Sequence, residues 1–336
     1  ILHSENANKR LHPASLTKMM TLYVVFQAVE NGEISLDKKV KISRHAASEP
    51  PSKLYLRSGQ KVKLRYLIRA AAVKSANDAA TALGEAIEGS EAAFARRMNR
   101  TAKAMGMNRT TFKNAHGLTE PGHLSTARDM TILGRHLFYD FPEYYNLFAR
   151  KTTSAGSTKV RNTNRRFLSN YRGADGIKTG YTRAAGYNLV ASANRNGERI
   201  ITTVFGGRST TTRNAQVAKL MNLGFKKAPR NVKIQKPKPP SYTAIARASQ
   251  VKSMSKSLRP KIRPENNENV ILIATNEYRS DILSALKQAQ VADKLAEQTP
   301  EIYTNISYNT EPKPAFKIET VDYPRTISRL TSSGQK

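Results

Sequence analysis

The sequence predicts an α+β fold, in which an antiparallel sheet is flanked by helices and carries a mostly helical subdomain. Three observations point this way. Residues 19–29 read MMTLYVVFQAV, apolar on nearly every side, which describes a helix buried on all faces. Ala-rich helical patterns follow over residues 79–87 and 92–105. From residue 174 the pattern changes to strands: 176–182 (GIKTGYT), 188–194 (NLVASAN) and 199–205 (RIITTVF). The last two are joined by Arg195-Asn196-Gly197, and Asn-Gly is a strong hairpin signal.

Taken in order, residues 1–30 give a short extended start and then the buried helix. Pro13 suits its first turn, where a missing N–H would be unpaired anyway. Ser15 is therefore expected in that first turn. The polar stretch NGEISLDKK (31–39) reads as a turn. RSGQKVK (57–63) leads into a helical run, LRYLIRAAAV (64–73), ending near Lys74-Ser75. Thr126 and Asp129 form a capping-box arrangement before the run MTILGRHLF, a structural device. Residues 212–225 read as an amphipathic helix. Beyond Lys227, KIQKPKPP is a Pro/Lys linker, and 229–268 is polar and core-poor, expected to be disordered. A strand and a helix are expected within 270–298, with 299–336 unstructured. The organisation is thus a folded domain (1–227), a linker (228–269) and a C-terminal extension (270–336).

The chain has 336 residues with 56 Lys+Arg against 25 Asp+Glu, a formal charge of +31. The excess is spread along the chain: residues 1–228 hold 38 basic and 15 acidic residues. Such a field favours anionic partners, including an acidic wall polymer or a membrane surface, through weak association. No nucleic-acid motif and no Cys/His zinc spacing accompanies it, so no nucleic-acid partner is expected. Cysteine is absent, which excludes disulfides and thiolate chemistry. The six histidines are scattered without H-E-x-x-H, and no G-x-x-x-x-G-K-[ST] loop is present; no metal or other cofactor is expected. No stretch approaches the roughly 20 apolar residues of a membrane span.

Three short segments carry the chemistry: Ser15-Leu16-Thr17-Lys18, Ser75-Ala76-Asn77 and Lys178-Thr179-Gly180. Together they supply a serine nucleophile, two lysines, a second hydroxyl, an amide and an anion site at a strand edge. That is the equipment for acyl transfer without histidine. S-x-x-K alone is weak; it recurs at Ser35, Ser249, Ser253 and Ser284. S-x-N recurs at Ser4 and Ser192, and only Lys-Thr-Gly is unique. Context selects Ser15: it opens a buried helix, whose positive end favours a developing oxyanion, and Lys18 follows one turn later on the same face. Asp175, just before the third segment, reads as a turn residue. His116-Gly117 reads as structural.

This set of segments resembles the low-molecular-mass penicillin-binding proteins of the D-alanyl-D-alanine carboxypeptidase type. The likeness covers about residues 1–227 and is carried by HPASLTKMM, KSANDAA, NAHGLTEPGH followed by STARDM, DGIKTGYT with GYNLVASA, and GGR with Arg213 five positions later. It implies the transpeptidase-like fold shared with serine β-lactamases. It implies that Ser15 attacks the carbonyl between the two terminal D-alanines of a peptidoglycan stem peptide, and that β-lactams acylate the same serine. Lys18 is then the base, its pKa lowered by desolvation and by Lys178. Ser75 passes a proton toward the leaving amine, and Asn77 holds Lys18 and the substrate amide. The backbone N–H groups of Ser15 and Tyr181 form the oxyanion hole. Thr179 and Arg213 bind the terminal carboxylate, and Gly180 lets the substrate backbone approach.

The resemblance further implies an exported, periplasmic or cell-envelope protein. Because the chain starts at Ile1, a signal peptide is expected upstream of it. Family members carry one or two strands ahead of the segment matching Ile1–Asn6, so this sheet is expected to lack its first strand. The usual β-rich second domain is not legible after residue 227, and SRLTSSGQK is not an amphipathic anchor. The alternatives are a D,D-endopeptidase or β-lactamase on the same scaffold, or a catalytically silent wall-binding protein. For a class A β-lactamase, the E-x-x-L-N-type loop that would hold a deacylating water is missing between Asn77 and Lys178.

Overall fold

The computed structural model describes residues 1–229, 234–240 and 242. Helix α1 (Lys18–Glu30) is buried over residues 18–26 and at 28, as its apolar sequence requires. Short α2 (Arg44–Ser48) and α3 (Leu64–Arg69) pack on α4 (Asn77–Glu88). Helices α4, α5 (Glu91–Ala104) and α6 (Ala127–Asp140) pack on α1, and α7 (Pro142–Ala149) packs on α6. Side-chain caps start several of them: Ser43 accepts from the Ala46 N–H, Ser90 from Ala93 and Thr126 from Asp129. Two antiparallel ribbons accompany the helices, β1 (Lys39–Lys41) with β2 (Lys61–Lys63) and β3 (Thr152–Ala155) with β4 (Thr158–Arg161).

After α8 (Arg165–Asn170) comes the main sheet: β5 (Ala174–Thr182), β6 (Gly186–Arg195) and β7 (Glu198–Gly207), antiparallel and in that order. The β6–β7 hairpin turns at Asn196 (φ 51°) and Gly197 (φ 84°), the left-handed pair that a type I′ turn requires. The alternation of β6 joins two cores. Leu189, Ala191 and Ala193 pack with Phe167, Val217 and Met221 beneath α9 (Thr210–Lys227). Val190 faces the other way and joins the helical core together with Ile177.

Several expectations need correcting. Ser15 lies not in the first turn of α1 but in a separate 3-10 turn, Ala14–Thr17, ahead of it. Ala14 has φ 49°, a left-handed conformation that an α-helix cannot pass through. Asp175 is not in a turn; it sits at a register shift within β5 and pairs with Arg199 at 2.6 Å. The capping box at Thr126 is only half formed, because the Asp129 carboxylate instead accepts from the Arg109 N–H (3.0 Å) and from Thr110 (2.6 Å). Helix α9 starts at Thr210, two residues earlier than read, behind a capping box of Ser209 and Thr212.

Of the span expected to be disordered, residues 234–240 and 242 carry no regular secondary structure. Tyr242 donates to Gln27 Oε1 (3.0 Å), and Arg135 donates to the Gln235 carbonyl, so this part of the linker packs on the helices. The strand and helix expected within 270–298, and the segment 299–336, lie outside the described residues. Among the described residues, no helix is long and apolar enough to cross a membrane.

Candidate active site

The helical wall of the site is built from the start of α1. Lys18 is fully buried, and its Nζ lies 3.0 Å from Ser15 Oγ, 2.7 Å from Asn77 Oδ1 and 2.7 Å from the His116 carbonyl. The chemistry of the three partners differs. Asn77 Oδ1 and the His116 carbonyl can only accept, whereas the Ser15 hydroxyl can also donate. A neutral amine has two N–H groups and one lone pair. The two obligate acceptors take the N–H groups, which leaves the lone pair aimed at Ser15.

Asn77 is held in turn. Its Nδ2 donates to the Pro50 carbonyl (2.8 Å) and its backbone N–H to the Ser52 carbonyl (2.7 Å). The loop 50–56 that supplies these acceptors is pinned by Asp78, whose carboxylate accepts from the N–H groups of Leu54, Leu56 and Ala79. That carboxylate lies in the first turn of α4, where the helix dipole favours negative charge. Ser75 ends a π-helical turn, Ala70–Lys74, in the left-handed region (φ 63°, ψ 34°). Such a conformation costs a serine about 1–3 kcal/mol, is found mostly at functional sites, and here presents the hydroxyl to the sheet.

The sheet wall comes from β5. Lys178 is also fully buried; its Nζ donates to Ser75 Oγ (2.8 Å) and to the Thr179 carbonyl (3.0 Å). Thr179 Oγ1 donates to Thr163 Oγ1 (2.7 Å). At Gly180 the strand meets the Ser15 turn directly: a Cβ there would stand 2.9 Å from the Pro13 carbonyl and 3.2 Å from the N–H nitrogens of Ser15 and Leu16. Only glycine permits that approach without a shift of backbone. Tyr181 is exposed and its ring lies against Tyr187 across the strands, 4.4 Å between centroids. Arg213, buried at the start of α9, donates from Nη1 to the Asn188 carbonyl (3.2 Å), while Nε and Nη2 both reach Asn214 Oδ1 (3.1 and 2.8 Å).

Burial lowers the pKa of both amines, since a charged group loses its hydration there. Lys18 falls well below its ordinary value, first by desolvation and then by the neighbouring Lys178 charge; Glu49 and Asp78 act in the opposite sense. Lys178 falls to about 7, by desolvation and then by Arg213. Lys178 can therefore exchange a proton near neutral pH, and burial shifts Lys18 in the same direction, toward its neutral form.

The structure brings Ser15, Lys18, Ser75, Asn77, Lys178, Thr179 and Gly180 together, with the Tyr181 backbone following on β5 and the Arg213 guanidinium on the Asn188 carbonyl of β6, close enough to act on Lys178. Among the copies set aside, Ser35 lies in the turn after α1 and Ser192 is buried on β6, accepting from Arg199; those at 249, 253 and 284 lie outside the described residues. Sequence reasoning missed two residues. The His116 carbonyl is a direct partner of Lys18, and a backbone acceptor leaves no trace in residue type. Asn188 ties the two walls together: its Nδ2 donates to the carbonyls of His12 and Pro13, and its Oδ1 accepts from the Gly206 N–H. A polar residue within a strand otherwise buried on both faces was the signal available for it.

Comparison with known proteins identifies the family of the chain. Residues 1–209 match the family described as D-alanyl-D-alanine carboxypeptidase. The chain is 41% identical over 230 residues to the D-alanyl-D-alanine carboxypeptidase DacF of Bacillus subtilis, covering 67% of this chain and 59% of that protein. It thus spans little more than half the length of this relative. Its fold matches penicillin binding protein 5 from Haemophilus influenzae with a TM-score of 0.64 at 38% identity, covering 67% of each chain. A penicillin-binding protein of Listeria monocytogenes, solved in its ampicillin-bound form, superposes with a TM-score of 0.62 at 36% identity, over 67% of this chain and 91% of that one. The chain belongs to the D-alanyl-D-alanine carboxypeptidase family.

Proposed function

We propose that this chain carries a serine-type D-alanyl-D-alanine carboxypeptidase, with residues 1–227 as its catalytic domain and peptidoglycan stem peptides ending in D-Ala-D-Ala as its substrate. The observation that carries the reading is the arrangement around Lys18: a buried amine contacts two obligate acceptors and the Ser15 hydroxyl, which supports a neutral form whose lone pair faces Ser15. In the proposed reaction Lys18 takes the Ser15 proton as Oγ bonds to the carbonyl carbon of the penultimate D-alanine. The carbonyl electron pair moves onto oxygen, next to the backbone N–H groups of Ser15 and Tyr181. The intermediate collapses, the C–N bond breaks, and the leaving amine of D-alanine takes a proton relayed through Ser75 from Lys18. Lys178 donates to the Ser75 hydroxyl, which orients that hydroxyl for the relay. Water then hydrolyses the acyl-enzyme.

The terminal carboxylate of the substrate is assigned to Thr179 and Arg213. A guanidinium fork suits a carboxylate, and Asn214 Oδ1, which occupies the fork here, presents the same acceptor chemistry. β-Lactams acylate Ser15 in this reading, a proposal supported by the likeness to a relative solved with ampicillin. The cell envelope is the proposed location, where such substrates occur.

The test is intact-mass analysis after exposure to a penicillin. One stoichiometric adduct is expected on the wild type and none on Ser15→Ala. An unmodified wild type, or an adduct that survives in Ser15→Ala, would refute the nucleophile assignment.

A further inference from the structure

Behind the His116 carbonyl lies a buried group of side chains that the proposed reaction does not use. Glu49, just after α2, and Glu91, at the start of α5, both approach the His116 ring: Nε2 is 3.3 Å from Glu49 Oε1 and 3.4 Å from Glu91 Oε1. The other ring nitrogen, Nδ1, accepts from the Leu118 N–H at 3.1 Å. A ring whose Nδ1 accepts carries its hydrogen on Nε2, so His116 donates into the two carboxylates. Thr81 on α4 donates to Glu49 Oε1 (2.9 Å), and His45 on α2 meets Glu91 Oε2 (2.8 Å).

The peptide on either side of His116 is equally constrained. The Ala115 N–H donates to Glu91 Oε1 (2.9 Å), and the Ala115 carbonyl accepts from Thr21 of α1 (2.5 Å). The Gly117 N–H donates to Asn114 Oδ1 (2.7 Å), and Gly117 sits so close to the Ser15 turn that a Cβ would collide with the Ala14 carbonyl. The loop therefore has its ring, its flanking amides and its glycine all fixed, and the His116 carbonyl between them accepts from Lys18.

We infer that Glu49 and Glu91 are positioning residues for the reaction: by clamping the His116 ring they hold the carbonyl that turns the Lys18 lone pair toward Ser15. This rests on the acyl-transfer reading given above. Released from the clamp, the carbonyl can turn, one Lys18 N–H loses its acceptor, and the lone pair is no longer directed at the nucleophile. A misplacement of that kind costs on the order of 10²-fold in rate.

Charge enters separately from position. The charged groups facing Lys18 are Lys178 from β5, Asp78 from α4 and Glu49. Those facing Glu49 are His45 from α2, Glu91 from α5 and His116. Glu49 favours the charged form of Lys18, whereas acylation needs the neutral form. Glu49→Gln keeps an acceptor for His116 and Thr81 but removes the charge. Its acid limb in the pH dependence of acylation therefore moves to lower pH, with the rate above that limb within about threefold of wild type. Glu49→Ala removes the clamp, and acylation falls roughly 10- to 100-fold at every pH.

The experiment measures the second-order rate of acylation by a chromogenic cephalosporin from pH 5 to 9 for wild type, Glu49→Gln, Glu49→Ala and Glu91→Ala, with thermal unfolding of each; Glu91→Ala is expected to fall roughly 10- to 100-fold, as Glu49→Ala does. Rescue by Gln where Ala fails, together with the shifted limb, supports the clamp. If Glu49→Ala is folded and acylates at the wild-type rate across the range, the inference is wrong. Should Glu49→Ala not fold, a folded Glu91→Ala, which removes the contacts of Glu91 with the His116 ring and the Ala115 N–H, overturns it instead if it acylates at the wild-type rate. Failure of the acyl-transfer reading would show separately, as a wild type that is not acylated at all.

Discussion

On the helical wall of the cleft Lys18 ends in three hydrogen bonds of 2.7–3.0 Å, two of them to groups that can only accept. On the sheet wall Lys178 donates to one hydroxyl and one carbonyl, and its pKa is lowered by desolvation and then by the Arg213 charge. Both amines are buried, but the walls use burial differently. The helical wall surrounds its amine with acceptors and places the carboxylates of Glu49 and Asp78 within electrostatic reach. The sheet wall gathers Lys178 and Arg213 with no carboxylate among the groups that shift Lys178. In the proposed reaction the first arrangement moves a proton, and the second leaves positive charge that an anionic substrate group can neutralise.

Lys18→Ala gives the sharpest test of this contrast. Removing the amine on the helical wall is expected to slow acylation by about 10²- to 10⁴-fold while the fold survives, as read by intact mass against time with a penicillin. A variant that still acylates at the wild-type rate would move the proton work elsewhere. A smaller effect is expected from Arg213→Ala on the sheet wall. Turnover of a D-alanyl-D-alanine peptide should fall roughly 10- to 100-fold, in line with a charge-assisted hydrogen bond, and acylation by small esters lacking the carboxylate should fall less. Equal losses for both substrates would refute a carboxylate role.

The smallest effect concerns stability. With Lys178 at about 7 in the folded chain and at its ordinary 10.5 when unfolded, the unfolded chain binds more protons between those values. Stability due to this group therefore rises as pH rises through that window and is lowest below it. A shift of that size corresponds to a few kcal/mol. Lys178→Met is expected to melt a few degrees higher than wild type near pH 7, with the difference shrinking toward pH 10. A Tm below wild type at pH 7 would mean that the bond to Ser75 outweighs the desolvation of the amine.

Glu49 and Glu91 show why part of the site was not legible in the chain. Neither belongs to a motif, and 42 residues separate them; only the fold brings both to the His116 ring. The same holds for Asn188, which joins β6 to the Ser15 turn. Ribbons β1–β2 and β3–β4 were missed because strands of three or four residues are too short to display a period.

What the sequence determined by itself was the kind of chemistry and the broad layout. An all-apolar run must be buried, an Asn-Gly between alternating strands must turn, and serine, lysine and amide types at short spacings along the chain are readable as chemical groups. What only the tertiary structure decided was the protonation and direction of those groups. Lys18 Nζ meets Ser15 Oγ while a backbone carbonyl from residue 116 and an amide oxygen from residue 77 converge on it, so the neutral form of the amine would direct its lone pair at Ser15. Desolvation and hydrogen-bond direction depend on everything within a few ångströms, and that neighbourhood is assembled from segments far apart in the chain.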